Sequence, residues 1–252
     1  MQIISLVNQK GGVAKTTTVL SVGASLANQK RKVLLIDTDP QGSLTTSAGV
    51  TLGDNDTTIY EVLQGTADIN ETIKHVGAYD LIPADINLSG ADITLASVAG
   101  RDLLLKEALA DLKTAYDYII IDCPPSLSTI TLMNLTASNS VIIPVQATYL
   151  ALKGMAQLLD TIKLVKKRLN PELEILGAVV TMYDHRKNLD NEILENIREA
   201  FPGKTFETTI SNNVAIAEAP AFGKDIISYK PASKGALQYE ALTAEIIKRC
   251  VK

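Results

Sequence analysis

Gln9-Lys10-Gly11-Gly12-Val13-Ala14-Lys15-Thr16-Thr17 lies between a continuous apolar run at 2–8 and a helical pattern at 16–29. A phosphate-binding loop requires this position, at the end of a strand and the start of a helix. Glycines let the backbone wrap closely, so that successive N–H groups point at phosphate oxygens. The helix N-terminus adds its positive dipole end. In such a loop Lys15 reaches the β- and γ-phosphates, and the Thr16 hydroxyl binds Mg²⁺. The strict pattern GxxxxGK[ST] is not met, because Gln9 stands at its first glycine and Ala14 at its second. Taken alone, the stretch also reads as a glycine turn followed by a solvated lysine.

Outward from the loop, short apolar runs alternate with helical stretches. Strands are expected at 2–8, 32–37, 79–82, 116–122, 140–145 and 174–181. Helices are expected at 16–29, 102–114, 128–137, 149–168, 188–200 and 235–250, with short helical pieces up to about 75. A polar loop fills 38–57. The runs are unbroken Ile, Val and Leu rather than alternating, which marks strands buried on both faces. Such alternation of strand and helix predicts an α/β fold with a single doubly wound, mostly parallel sheet flanked by helices. No repeat or linker interrupts the chain, so one domain over 1–252 is expected.

Composition removes several classes. Two cysteines, Cys123 and Cys250, are too few for a disulfide framework or an all-cysteine metal site, and fit a reducing cytosol. No apolar stretch approaches the roughly 18 residues that span a bilayer, and the N-terminal run lacks a signal peptide's basic flank. A cytoplasmic protein is expected. His75 and His185 are isolated, and no Ser/His/Asp or HExxH arrangement is visible. Net charge is −4, which predicts no nucleic-acid partner. Residues 181–252 nevertheless balance 10 basic against 10 acidic side chains, leaving room for a local basic face.

Two further stretches stand at strand ends: Leu34-Leu35-Ile36-Asp37-Thr38-Asp39-Pro40-Gln41-Gly42 and Ile119-Ile120-Ile121-Asp122-Cys123-Pro124-Pro125-Ser126. With the KGGxxK[ST] loop, they resemble in order the Walker boxes of the ParA/MinD superfamily of deviant Walker A, P-loop ATPases. Within it the chain is most similar to the ParA/Soj partition ATPases. The resemblance continues through Thr181-Met182-Tyr183-Asp184, Glu218-Ala219-Pro220 and Phe222-Gly223-Lys224.

The resemblance implies an ATP hydrolase that uses ATP and Mg²⁺. Gly11, Gly12, Val13, Ala14, Lys15, Thr16 and Thr17 bind nucleotide, and Thr16 and Asp122 hold the metal. Asp39 positions the attacking water. Asp37 supports the Mg²⁺ shell, with a strand-end cap as the competing reading. Lys10 reaches across a two-fold interface to the partner's phosphates, making ATP the glue of a homodimer; the bland alternative is a surface lysine. Adenine falls to Met182 and Asn213 and their neighbours. The dimer binds double-stranded DNA non-specifically, on the nucleoid, and leaves after hydrolysis stimulated by a ParB-type centromere-binding protein. Arg186 matches a family DNA contact, and Lys187, Lys224, Lys230 and Lys234 add phosphate contacts. The sequence departs from the family at Asn212 and Ala215, where arginines are common. Alternatives are a MinD-like positioning ATPase at a membrane, or a relative that positions a protein cargo. No membrane partner is expected.

Overall fold

The computed structural model describes residues 1–148 and 155–251. In chain order it runs β1 (Gln2–Leu6), α1 (Lys15–Asn28), β2 (Val33–Asp37), α2 (Ser43–Ser47), α3 (Ile59–Leu63), α4 (Ile69–Thr72), β3 (Lys74–Val76) and β4 (Tyr79–Ile82). There follow α5 (Ala91–Thr94), α6 (Leu104–Ala110), β5 (Tyr118–Asp122), α7 (Thr129–Ala137), β6 (Ser140–Gln146), α8 (Met155–Arg168) and β7 (Glu174–Thr181). The C-terminal part adds α9 (Asn188–Ala200), α10 (Val214–Glu218), α11 (Ile226–Tyr229) and α12 (Lys234–Cys250). The helix expected from 149 has its first six residues outside the described ones, and α8 is its described part.

The strands form one seven-stranded sheet in the order β3-β4-β2-β5-β1-β6-β7. All neighbours are parallel except β3 and β4. The unbroken apolar runs explain this directly. Along β2, Leu34 and Ile36 point into one core and Val33 and Leu35 into the other. Along β5, Ile119 and Ile121 part from Tyr118 and Ile120 in the same way. One core packs under α3 to α9, the other under α1, α2, α11 and α12. Both faces are therefore covered, as parallel sheets require.

Several short elements were not expected. β3 is a three-residue antiparallel edge, α2 is a single turn inside the stretch read as loop, and α5, α10 and α11 are one-turn helices in stretches given no element. The helix expected over 102–114 is shorter, a 3₁₀ turn at Arg101–Leu103 followed by α6. What matters for the site is register. β1, β2 and β5 lie side by side, with Leu6 opposite Asp122 and Asp37 opposite Asp122. The loop after β1 and both acidic strand ends thus meet at the carboxyl edge of the sheet, where open α/β sheets bind ligands.

Candidate nucleotide site

The loop from Gln9 leads directly into α1, and its backbone is shaped for close approach. Gly12 takes φ 71°, and Ala14, the residue before the helix, takes φ 61°. Left-handed backbone at a non-glycine costs about 1–3 kcal/mol and persists where surrounding structure enforces it, commonly at functional sites. Here Ala14 stands where the strict motif has its second glycine. A Cβ placed on Gly11 or Gly12 would meet nothing within 4 Å, so the loop faces open space. The Thr181 hydroxyl at the end of β7 ties the loop down by donating to the Val13 carbonyl at 3.1 Å.

A cavity of about 420 Å³ opens over this loop. Gly11, Gly12, Ala14, Lys15, Thr16, Thr17 and Asp39 line one side, and Met182, Ile210 and Asn213 the other. Lys15 is buried, only 7 % exposed. Of the sequence candidates, Val13 is buried beneath the loop, and Lys10, Asp37 and Asp122 do not line the cavity. Sequence reasoning missed Ser43, Pro125, Pro220 and Tyr239, which also line it. Tyr239 belongs to α12 and shares a hydrogen bond with Thr18 of α1 at 3.2 Å, so it marks where the C-terminal helix closes on the site. Met182 holds φ 54°, a second left-handed non-glycine at the cavity wall.

Beneath the loop sit two carboxylates with no exposed surface. Asp122 Oδ2 accepts the Thr16 hydroxyl at 2.6 Å, while its Oδ1 has no hydrogen-bond partner among the described residues. Burial pushes the Asp122 carboxyl well above its ordinary value, and the neighbouring Asp37 pushes it further. Asp37 is also raised by burial, although Thr45 and the Asp39 amide bind both of its oxygens. Asp37 is thus already engaged within its own chain, and its bond to the Asp39 amide at 3.1 Å fixes the backbone that presents Asp39. Asp39 accepts from the Gln41 amide at 3.0 Å. An orphaned carboxylate oxygen beside a second buried acid is the chemistry a divalent cation satisfies. The described residues contain no cluster of three metal-ligating side chains.

Lys10 is elsewhere. Its Nζ donates to Gln146 Oε1 at 3.0 Å and Thr148 Oγ1 at 3.1 Å, both beyond the carboxyl end of β6 or at it. Cys123 is fully buried and burial pushes its thiol up to about 12, so it is no nucleophile.

The five basic candidates are exposed but not gathered. Arg186 and Lys234 share a cleft with His185 and Asn212, and that cleft shares Ser211, Asn212 and Asn213 with the nucleotide cavity. Lys224 lines a separate hollow beside Tyr79. Arg186 is bound by Asp184, donating from Nε at 2.9 Å and Nη2 at 2.8 Å. Those hydrogen bonds hold the Asp184 carboxyl far below the usual range.

Comparison with known proteins adds a consistent set of likenesses. A family model described as "AAA domain" matches residues 1–175. The sporulation initiation inhibitor protein Soj of Bacillus subtilis is 47% identical, over 97% of this chain and 98% of its own. The chromosome partitioning protein ParA of Myxococcus xanthus is 44% identical, over 98% of this chain and 88% of that one. A structure described as cobyrinic acid a,c-diamide synthase from Mycobacterium smegmatis, with bound ATP analog and magnesium, superposes with TM-score 0.87 at 38% identity. It covers 98% of this chain and 95% of that chain. The septum site-determining protein MinD of Pyrococcus horikoshii, complexed with Mg-ADP, gives TM-score 0.82 at 26% identity, covering 99% and 97%.

Proposed function

The chain belongs to the ParA/Soj family of partition ATPases, and from that premise we propose that ATP in this cavity switches it between a monomer and a DNA-holding dimer. The reaction is hydrolysis of ATP, in which water adds to the γ-phosphorus as the bond to ADP breaks. Lys15 and the N–H groups of 11–17 hold the phosphates and offset their charge. Asp39 orients the attacking water. Thr16 and Asp122, with Asp37 behind them, are the residues that would hold Mg²⁺, whose contribution is to neutralise charge on the phosphoryl oxygens. The observation that carries this reading is the Thr16–Asp122 bond at 2.6 Å, with Asp122 Oδ1 left without a partner among the described residues.

Lys10 leaves Gln146 and Thr148 and contacts the phosphates of a second subunit, so that ATP lies between two chains. The dimer then holds duplex DNA without choice of sequence through Arg186, Lys187, Lys224, Lys230 and Lys234. The cleft that joins Arg186 and Lys234 supports this, because it shares residues with the nucleotide cavity. A ParB-type partner stimulates hydrolysis and so releases the dimer from the nucleoid. A membrane-bound reading has less support. No helix among the described residues is long and apolar enough to cross a membrane, and α12 buries Tyr239, Leu242 and Ile246 in the core.

Size-exclusion chromatography with light scattering tests the switch. Lys10→Ala is expected to bind ATP as a monomer and Asp39→Ala to accumulate as an ATP-bound dimer. An Asp39→Ala protein that stays monomeric in saturating ATP and Mg²⁺ would sink the model.

A further inference from the structure

α7 carries a buried polar side chain for which the phosphate chemistry above has no use. Asn134 is 1 % exposed, on a helix that also buries Ile130, Met133 and Leu135 and two threonines, Thr131 and Thr136, whose hydroxyls donate to nearby backbone carbonyls of Ser126 and Leu132. Its amide nitrogen donates to Thr38 Oγ1 at 2.7 Å and to Cys123 Sγ at 3.3 Å. Thr38 passes the contact on. Its hydroxyl donates to the Asp122 carbonyl at 2.6 Å, and its amide donates to the same carbonyl at 3.1 Å.

The positions of these partners are what give the bonds meaning. Thr38 is the residue between Asp37 and Asp39, and Cys123 follows Asp122. One amide on α7 therefore grips the ends of β2 and β5 together, beside the buried acids Asp37 and Asp122 and next to Asp39, which lines the cavity. The strands' own ladder ends here, at the Asp37–Asp122 pair, and beyond it, among the described residues, Thr38 and Asn134 link the two chain segments. Asn134 Oδ1 has no hydrogen-bond partner among the described residues, so the residue carries a burial cost that a leucine of similar size would not. Packing alone does not account for an amide here, whereas fixing Thr38 does.

We propose that Asn134 is a positioning residue for hydrolysis, acting through Thr38 to hold Asp39 at a fixed offset from Asp122. It rests on the reading in which Asp39 orients the water. It touches neither nucleotide nor metal, so its loss disturbs the reaction step rather than the binding of ATP. Displacing a water-orienting carboxylate by a fraction of an ångström to an ångström costs roughly ten- to a hundredfold in rate.

The test compares Asn134→Leu, Thr38→Val and Thr38→Ser with the unaltered protein, reading melting temperature, Mg-ATP affinity and hydrolysis rate at saturating ATP. Asn134→Leu is expected to melt no lower than wild type, to bind Mg-ATP within about twofold, and to hydrolyse it roughly ten- to a hundredfold more slowly. Thr38→Val should match that loss and Thr38→Ser should restore the rate, since only the hydroxyl is needed. The double variant Asn134→Leu/Thr38→Val should be no slower than either single one, as expected of residues acting in one chain of bonds. A wild-type rate in folded Asn134→Leu overturns the proposal, and so does a loss of affinity equal to the loss of rate. Should Asn134→Leu fail to fold, the Thr38 pair decides: equal rates for Val and Ser overturn it. Asp39→Ala run alongside separates the two layers. Hydrolysis that survives Asp39→Ala overturns the water-orienting role and this proposal with it. Hydrolysis lost there but intact in both Asn134→Leu and Thr38→Val overturns the positioning role alone.

Discussion

Asp37 and Asp122 have no exposed surface, whereas the side chain of Arg186, on the rim of the same end of the sheet, is 78% exposed. The floor of the nucleotide site is a closed web. Thr16, Asp122, Thr38, Asp37, Thr45 and Asp39 are joined by bonds of 2.6–3.1 Å, backed by two hydrophobic cores. The rim is single side chains in solvent, and Arg186 there is held by its own neighbour, Asp184. The difference teaches how the proposed switch is built. The acids whose placement must be fixed stand at or next to strand ends, while the cations proposed to hold DNA stand singly on loops and helix ends.

The comparison breaks most visibly at Lys15. Truncating one partner of a buried charge pair costs about 2–5 kcal/mol, so if Lys15 holds phosphate Lys15→Ala should lower ATP affinity by roughly thirtyfold to a few thousandfold. No rim substitution should move it, and calorimetric titration with ATP reads both. Next in size is the response to Mg-ATP. At a hundred times its dissociation constant the ligand should stabilise the fold by about 2.7 kcal/mol, seen as a rise in melting temperature.

Without nucleotide, the strained acids should show themselves through pH. Both have carboxyls raised by burial above the ordinary 3.8. Such a group contributes stability in full below that value, and the contribution is lost as pH rises through its folded-state value. Asp122→Asn should therefore melt above wild type in the absence of nucleotide, and by more at pH 8 than at pH 5. Equal melting temperatures across that range would show that the floor is not strained.

On the rim the effects are smaller and depend on salt. Each lost phosphate contact reduces the slope of log affinity against log salt by about 0.9. Lys234→Ala should show that change, and Arg186→Ala should show less because Arg186 is already paired. Asp184→Asn, which frees Arg186, should tighten DNA binding. Smallest of all is Ala14→Gly. Relief of left-handed strain is offset by the added chain entropy of glycine, so stability should rise by about 1 kcal/mol or less.

Much of the floor was legible in the sequence, for a physical reason. Strands buried on both faces are unbroken apolar runs, and the acids that end them are conspicuous: Asp37 closes VLLID and Asp122 closes YIIID. The loop announced itself by Lys15 and two glycines. What was not legible comes from places where one-dimensional pattern is absent. Lys74–Val76 is too short to show a period, and it pairs antiparallel at the edge. Tyr239 and Pro220 reach the cavity from more than two hundred residues along the chain from the loop. Asn134 looks, in sequence, like any polar residue on a helix. Arg186 and Asp184 are only two residues apart, but nothing in TMYDHR says that the turn folds one onto the other.

The claim that joins floor to rim is that occupancy of the buried site governs the loose surface. The direct measurement is binding to random-sequence duplex DNA across a salt series, with ATP, with ADP and with no nucleotide. Binding with ATP alone, falling steeply as salt rises, is the expected result. Equal binding in all three states, or none in any while ATP still drives dimerisation, would contradict it.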